Sequence, residues 1–481
     1  MARTITRILI TDLPWIGKKY AGRAGMRWAH TSDKSPVISF RPFPFYLASA
    51  AAVLERNGHE VKVIDALAEN ISEEKYYARV KEFQPDFILC ETHTPSYMND
   101  CIVAKKIKQV VPNAKIMFAG PHATALPDEV ARENKGTVDF VLSGEYEFLA
   151  LDVVSGKAKG PVVKLRNPAD IKIIPWPARH LFKMNLYNEV FCRNYPNIQV
   201  MGSRGCPYRC SYCNIYLMNA GIRGVRCRDP VDVMNEIDYI THAYKPKEIY
   251  FDDDNVNANA KWLEELMNLK MARGNNTPFT CMGHVAITPE LLDKMKKAGC
   301  LGIKFGVESS NNEILRSIGK GITKEMAEAT IEHCKKIGIK THLTYCIGLP
   351  GDTEETVAET IKFARSHGDH YQISMSAPFP GTPLWNEAKE KGWLNFKSWN
   401  DFDGMGDAII NYPTLSASRL KELAASAQTD TYTKVLKSGE WKKYLRMIYD
   451  ERGVKGLAHF FFIRAPGMAW EVTKNKFRKK K

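Results

Sequence analysis

The chain has 481 residues, 44% apolar and 25% charged, with a formal net charge of +14. That length exceeds one ordinary core, and the composition is that of a soluble globular protein, so two to four domains are expected. No run of eighteen apolar residues exists, which excludes a membrane-spanning helix.

The charge suits an anionic substrate, an anionic membrane surface or a nucleic acid. Part of it is local: residues 474–481 hold Lys474, Lys476, Arg478, Lys479, Lys480 and Lys481 and no acid. The eleven cysteines are an odd number, and the chain opens without a secretory leader before the apolar Ile8-Leu9-Ile10. The expectation is a cytoplasmic protein with reduced thiols.

Residues 7–13 are apolar and strand-like. Residues 45–57 are Ala-rich and helical, and Gly58 closes them. Strands are then predicted at 61–65, 87–90, 115–119 and 140–142. Helices are predicted at 73–83, 100–110 and 127–133. Five strands alternating with helices predict a doubly wound parallel sheet over residues 1–155, with its ligand at the carboxyl ends of the strands. Thr11-Asp12, Thr92-His93-Thr94, Gly120-Pro121-His122 and Ser143-Gly144-Glu145 fall at those ends.

Residues 156–197 carry Gly156, Gly160, Pro161, Pro168, Pro175, Pro177 and Pro196, and read as a linker. From residue 198 strands alternate with helices again, at 199–203, 248–251, 279–284, 302–307, 341–347 and 371–376. Six such units up to residue 385 predict a partial (βα)6 barrel of the TIM type, with its site where strands end. Residues 386–481 read as a helical C-terminal region ending in the basic tail. Trp385, Trp393, Trp399 and Phe402 mark its start.

The strongest local signal follows the first barrel strand. Cys206, Cys210 and Cys213 stand in the spacing C-x3-C-x2-C, within Gly205-Cys206-Pro207-Tyr208-Arg209-Cys210-Ser211-Tyr212-Cys213. Three thiolates on a four-iron cube leave one iron open to chelate a substrate. Structural zinc wants four ligands in paired spacing, and no second C-x2-C or H-x3-5-H stands elsewhere.

These residues resemble the radical S-adenosylmethionine (SAM) superfamily. The resemblance implies a [4Fe–4S] cluster on Cys206, Cys210 and Cys213, with the Tyr212 ring bordering adenine. Asp252-Asp253-Asp254-Asn255 stands where the family usually has a Gly-Gly-Glu-like segment, so Asp253 and Asp254 are implied acceptors for the SAM amino group. Glu308 and Ser309 are placed to meet the ribose or methionine part, and Gly348 and Pro350 lie in a turn near adenine. Pro378 to Pro383 resembles the exit of the sixth strand. Met282, His284 and Met375 read as packed residues. Tyr345, Cys346 and Tyr371 lie near the expected barrel mouth, where burial accounts for them as well as catalysis does.

The N-terminal domain is similar to the Rossmann-like cobalamin-binding domain fused to one branch of that superfamily. The resemblance implies cobalamin contacts from Thr92, Thr94, Gly120, His122, Gly144 and Glu145. It departs at one point. Domains that ligate cobalt from below use Asp-x-His-x-x-Gly, and here Asp12-Leu13-Pro14-Trp15-Ile16-Gly17 puts proline at the histidine position. No imidazole from this loop is expected to coordinate cobalt.

The resemblance implies reductive cleavage of SAM to a 5′-deoxyadenosyl radical, and most often methylation of an unactivated carbon. The alternative within the branch is oxidative cyclisation or ring formation on a tetrapyrrole or lipid. A methylthiotransferase acting on tRNA would need further N-terminal cluster cysteines, where only Cys90 and Cys101 stand, and a C-terminal β-domain. Expected partners are a small-molecule or lipid-like substrate and an electron donor such as flavodoxin or ferredoxin, with no nucleic acid. Residues 457–463, Pro466, Trp470 and the basic tail suggest a peripheral membrane contact.

Overall fold

The structure is a computed structural model that describes residues 5–16, 20–24, 28–32, 41–404 and 406–438, with scattered residues between 442 and 461. Ile8, Leu9 and Ile10 are consecutive and fully buried. Successive side chains of a strand point to opposite faces, so such a run needs cover on both sides. The strand β1 (Arg7–Asp12) has that cover. Ile8 and Ile10 pack with Leu89, Met117 and Leu142 against helices Phe45–Arg56 and Glu147–Val154. Leu9 packs with Ile88, Ile116, Phe118 and Val141 against Tyr76, Val80 and Val103 of helices Glu73–Phe83 and Tyr97–Val110.

The remaining strands of this sheet are β2 (Glu60–Asp65), β3 (Phe87–Glu91), β4 (Lys115–Ala119), β5 (Phe140–Ser143) and β6 (Val162–Lys164). Their order is β2-β1-β3-β4-β5-β6, and every pairing is parallel. This is the expected doubly wound sheet, with its switch of strand order beside β1. Two elements are additions. An antiparallel hairpin, Tyr20–Ala24 with Trp28–Ser32, follows β1. The sixth strand comes from the segment read as linker, where its three residues are too short to show a period.

The second sheet runs β7 (Asn197–Val200), β8 (Glu248–Phe251), β9 (Phe279–Gly283), β10 (Cys300–Glu308), β11 (Lys340–Ile347) and β12 (His370–Met375), all parallel, in chain order. It is the partial six-stranded barrel expected from the sequence. Alternation separates its two faces. Ile303, Phe305, Leu343, Tyr345, Tyr371 and Ile373 join the core formed with the outer helices. Between them Gly306, Thr344, Gln372 and Ser374 are only half-buried and line the inner face.

The linker is built into the join between the sheets. Ala178 N–H donates to Ala48 O at 3.0 Å, and Arg179 donates to Gln199 O at 2.8 Å and to Glu236 at 3.0 Å. Phe43 N–H donates to the Gln199 side chain at 3.0 Å. Beyond the barrel, helix Ala417–Ser438 seats Leu420, Ala424 and Ala427 in the barrel core. Among the described residues no helix is long and apolar enough to cross a membrane. The basic run 474–481, Pro466, Trp470 and most of 457–463 lie outside the described residues.

Ile10→Ala should cost about 2–5 kcal/mol in urea unfolding, because the two-sided cover leaves a cavity that cannot collapse. Glu82→Ala, on the exposed side of Glu73–Phe83, should stay within about 0.5 kcal/mol. Equal effects from the two substitutions would contradict the packing described.

Candidate functional site

Two sets of strand ends meet at the join. On the barrel side, the chain leaves β7 and forms a short antiparallel hairpin, Ser203–Arg204 with Arg226–Cys227. Between the two arms runs the cysteine loop. Asp253 and Asp254, at the end of β8, fix its first arm. Asp253 accepts from Ser203 Oγ at 2.5 Å and from Gly202 N–H at 3.2 Å, and Asp254 accepts from Gly205 N–H at 2.9 Å. Burial pushes the Asp253 carboxyl up to about 6. Its two bonds make Asp253 a brace for the loop rather than a free acceptor.

The far side of the loop rests on Gly319-Lys320-Gly321. Ser211 N–H donates to Ile318 O at 2.9 Å. A Cβ on Gly319 would stand 2.8 Å from Arg209 O, and one on Gly321 would stand 2.9 Å from the Tyr208 ring. Both glycines have positive φ, so only glycine gives this bed without strain. Tyr208 stacks on His284 at 3.8 Å. Lys320, which the sequence reading did not single out, is buried and pairs with Glu308 at 2.8 Å. It stands between two glycines in the turn from helix Asn312–Ser317 to helix Lys324–Ile337, well past the end of β10, so no strand-end motif marks it.

The residues fit a cluster. Burial pushes the thiols of Cys206, Cys210 and Cys213 up, Cys213 to about 12; neighbouring thiols of the trio raise Cys206 and Cys213 further, and Glu308 raises Cys210. Thiols so disposed ionise only when a metal compensates them. Among the described residues no three His, Cys, Asp or Glu side chains converge as ligands of one ion must. Cysteines on a cuboidal cluster bind separate irons and need not converge.

The residues expected around SAM lie along the same rim. Tyr212 packs against Ile314, Ile318, Cys346 and Leu349, which brings it to the turn holding Gly348 and Pro350. In that turn Gly348 and Leu349 N–H both donate to Asp352 at 2.9 Å, and Pro350 O accepts from Ser317. Ser309 is committed to structure: its hydroxyl meets Thr360 at 3.3 Å and accepts from Asn311 N–H at 3.1 Å. Asn255 closes the same strand-end segment after β8. It is 3% exposed, and neither polar atom of its side chain has a hydrogen-bond partner. A buried amide so placed calls for a ligand or water.

On the N-terminal side, Thr92, Thr94, Gly120 and His122 come together beyond β3 and β4. Gly120 has φ +95, and a Cβ there would stand 3.0 Å from Thr92 O. The Thr92 hydroxyl is fully buried without a hydrogen-bond partner. His122 bonds Thr94 Oγ1 at 3.2 Å, with Tyr97 at 4.2 Å on one side and Trp399 at 5.1 Å on another. Burial lowers its pKa to about 3, so it is neutral. The small residues and the orphaned hydroxyl fit a flat ligand laid over these strand ends. Pro14 occupies the loop after β1, where its carbonyl accepts from Asn99.

Gly144 and Glu145 turn elsewhere. Gly144 N–H donates to Thr124 at 3.0 Å, and Glu145 faces the barrel. Arg204 reaches Glu147 at 2.7 Å and Glu145 at 3.6 Å, Arg226 pairs with Glu145, and the Arg204 guanidinium lies 4.1 Å over the Tyr46 ring. Arg204, Glu145 and Glu147 are at most 5% exposed. Glu145 therefore ties the loop after β5 to the barrel-side hairpin.

Comparison with known proteins agrees with both halves. Residues 200–364 match the radical SAM superfamily, and residues 37–152 match the B12 binding domain. An uncharacterized methyltransferase of Pyrococcus horikoshii is 29% identical over 441 residues, 87% of this chain and 94% of the relative. The anaerobic magnesium-protoporphyrin IX monomethyl ester cyclase of Rubrivivax gelatinosus is 25% identical over 376 residues, 72% of this chain and 66% of the relative. The structure of TsrM from Kitasatospora setae, a radical SAM methyltransferase with cobalamin and a [4Fe-4S] cluster bound, has the same fold at a TM-score of 0.60 and 16% identity. The match covers 82% of this chain and 80% of that one.

Removing one partner of a buried ion cluster leaves its opposite uncompensated. Arg204→Met should therefore cost about 3–5 kcal/mol in urea unfolding, and a loss below about 1 kcal/mol would show that the network does not hold the join. His122 supplies a pH test. Its pKa in the fold lies below the ordinary histidine value of about 6.5, so its stabilisation is complete above that pH and drains away as pH falls toward about 3. The slope attributable to one such group is at most about 1.4 kcal/mol per pH unit. Between pH 6.5 and 4, His122→Gln should lose stability less steeply than the wild type.

Proposed function

The chain is an enzyme that joins a B12-binding domain to a radical SAM domain, and we propose that it methylates an unactivated carbon of a small polar substrate. The observation that carries this reading is the join itself. The loop that would hold the cluster and the strand ends that would hold cobalamin are fixed to each other by Arg204, Arg226, Glu145 and Glu147. The cofactors, once bound, supply reductive cleavage of SAM to a 5′-deoxyadenosyl radical that removes a hydrogen atom from carbon, and a methyl group to replace it.

The chain's own residues bind, orient and shield. Cys206, Cys210 and Cys213 would hold the cluster and leave one iron for SAM. Asp254 and Asn255, at the end of β8, would accept from and donate to its amino and carboxylate groups. Glu308 would meet the ribose or methionine part. Tyr212 would border adenine, with Gly348 and Pro350 closing the far side. Asp253 and Ser309 would act behind these groups by holding the loops. Thr92, Thr94, Gly120 and His122 would floor the cobalamin site, and the neutral His122 would keep that floor uncharged. The inner face of the barrel offers Thr344, Gln372 and Ser374, which favours a substrate with hydrogen-bonding groups over a lipid chain.

A second reading is oxidative ring formation, favoured by the likeness to the protoporphyrin ester cyclase. Methylthiolation of tRNA has less support. Cys90 lies on β3 and Cys101 on helix Tyr97–Val110, and among the described residues they form no second ligand group.

Anaerobic reconstitution tests the reading. The protein should take up about four irons and release 5′-deoxyadenosine from SAM under a strong reductant. Replacing all three cysteines by alanine should abolish both. With cobalamin added, the methyl group of labelled SAM should appear on the bound corrin for a methyltransferase. A ring-forming enzyme should leave it unlabelled. Because Pro14 replaces the ligating histidine, bound cob(II)alamin should show no nitrogen splitting from a protein imidazole in its EPR spectrum.

A further inference from the structure

We propose that the barrel interior holds an oxyanion subsite, in which Lys304 and His342 bind a carboxylate or phosphate group of the substrate. The inference names the class of the small polar substrate and rests on the reading of the chain as a carbon-methylating enzyme. Strand register places the residues. Met282 of β9, Lys304 of β10, His342 of β11 and His370 of β12 pair in one row across four neighbouring strands. Ile303, Phe305 and Leu343, which flank Lys304 and His342, belong to the core under the outer helices. Alternation therefore turns Lys304 and His342 inward. The contacts agree. The Lys304 ammonium lies 4.0 Å from the centre of the Phe191 ring, that ring lies 4.2 Å from His342, and the His342 and His370 rings are 6.4 Å apart.

Phe191 forms the floor of this interior. Its segment is anchored at the N-terminal ends of the strands, where Arg193 and Asn194 N–H donate to Glu248 at 2.8 and 2.7 Å. Phe191 N–H itself donates to Glu189 at 3.0 Å. Above the floor the interior is open. The sheet has β7 and β12 as its edges, and His342, Thr344, Gln372 and Ser374 face inward yet are only half-buried.

The charge of the row is what selects the ligand. Lys304 is 9% exposed, and a buried ammonium is stabilised by an aromatic face or an anion. Most neighbouring carboxylates are engaged elsewhere. Glu248 holds the floor segment and accepts from Thr280, Glu308 pairs with Lys320, and Asp369 pairs with Lys340. Asp252 follows the pair Phe251–Cys281 and lies two strands from Lys304, with Met282 between. That separation is about 10 Å between Cα atoms. The row thus offers an ammonium and two imidazoles against one carboxylate. Strands rise about 3.3 Å per residue, so Lys304 lies about 13 Å along β10 from Glu308 at the rim. A substrate held at the floor by its oxyanion presents its far carbons beside the cysteine loop, with Thr344, Gln372 and Ser374 along its length.

The test uses oxidised holoenzyme saturated with SAM, so that neither turnover nor the SAM pocket contributes. Calorimetry follows four-carbon probes: n-butyl phosphate, butyrate, butanol and butylamine. The wild type should bind at least one of the two anions about tenfold or more tightly than butanol or butylamine. The tighter of the two anions separates a phosphate from a carboxylate substrate. Lys304→Gln should remove the preference while SAM affinity stays within about twofold. Lys304→Arg, which keeps the charge, should retain anion affinity within about threefold. Should the glutamine variant lose SAM affinity, His342→Asn carries the same comparison from the next strand, with a loss of about threefold or more. No anion preference in the wild type, or a preference untouched by Lys304→Gln, would overturn the subsite. Equal losses in the glutamine and arginine variants would overturn it as well, because charge would not be the cause. A wild type that binds the anion through Lys304 but transfers no methyl label to the corrin would uphold the subsite and overturn the methylation reading instead.

Discussion

The buried ion cluster of Arg204, Arg226, Glu145 and Glu147 is the constraint on which the rest of the arrangement depends. Its two arginines stand opposite each other on a hairpin, in the register Arg204 to Arg226. Its two acids flank Tyr146, Glu145 in the loop after β5 and Glu147 at the first position of the helix that follows. Two positive and two negative charges cancel, which is the condition for burying any of them. The geometry is specific as well as neutral, because a guanidinium fork accepts only certain carboxylate positions. A join made of apolar side chains alone would tolerate sliding. This one fixes the hairpin, and the hairpin leads directly into Cys206.

From that fixed point the two sites follow. Asp253 and Asp254 tie the same hairpin to the end of β8, so the cysteine loop is held from the N-terminal domain and from the barrel at once. Glu145 N–H donates to Met218 O at 2.8 Å, just past the loop, and Thr124 donates to the Met218 sulfur at 3.3 Å. Thr124 also accepts from Gly144 N–H. The strand-end loops of the first domain thus touch both sides of the cysteine segment. On the opposite side Trp399 reaches His122, so the aromatic group that follows the barrel closes against the N-terminal strand ends. Each domain folds around its own core, and the join adds apolar contact to these bonds, since Met218 is buried in the N-terminal core and Trp399 packs against that core.

The sequence showed what is local and concealed what is distant. The cysteine trio was legible because its spacing is its meaning. The strands were legible because fully buried runs such as Ile8-Leu9-Ile10 need two-sided cover. The division of labour between Asp253 and Asp254 was not, since Ser203, which captures Asp253, lies 50 residues earlier. Glu145 looked like a ligand-loop residue because its partner Arg226 is 81 residues away. Thr92 could be placed at a strand end, but only the fold shows that its hydroxyl lacks a partner. Val162–Lys164 hid inside a segment rich in glycine and proline, where three residues cannot display a period of two.

Glu308 shows how far the site overrides local preference. Its φ is +70, in the region that disfavours a side chain by roughly 1–2 kcal/mol. The pairing of β10 with β11 shifts register at this point, between Gly306 and Glu308. A glycine would remove the strain and let the chain turn as easily. What a glycine lacks is the carboxylate, which here meets buried Lys320 and faces the pocket of Tyr212 and Cys346. Lys320 in turn is held between the two glycines that support the cysteine loop. Strain of this kind persists only where its surroundings fix it, and here they are the same residues that shape the rim. The backbone conformation at Glu308 is therefore a cost carried by the fold in order to present a charged group beside the cysteine loop, where the substrate of the open iron would lie.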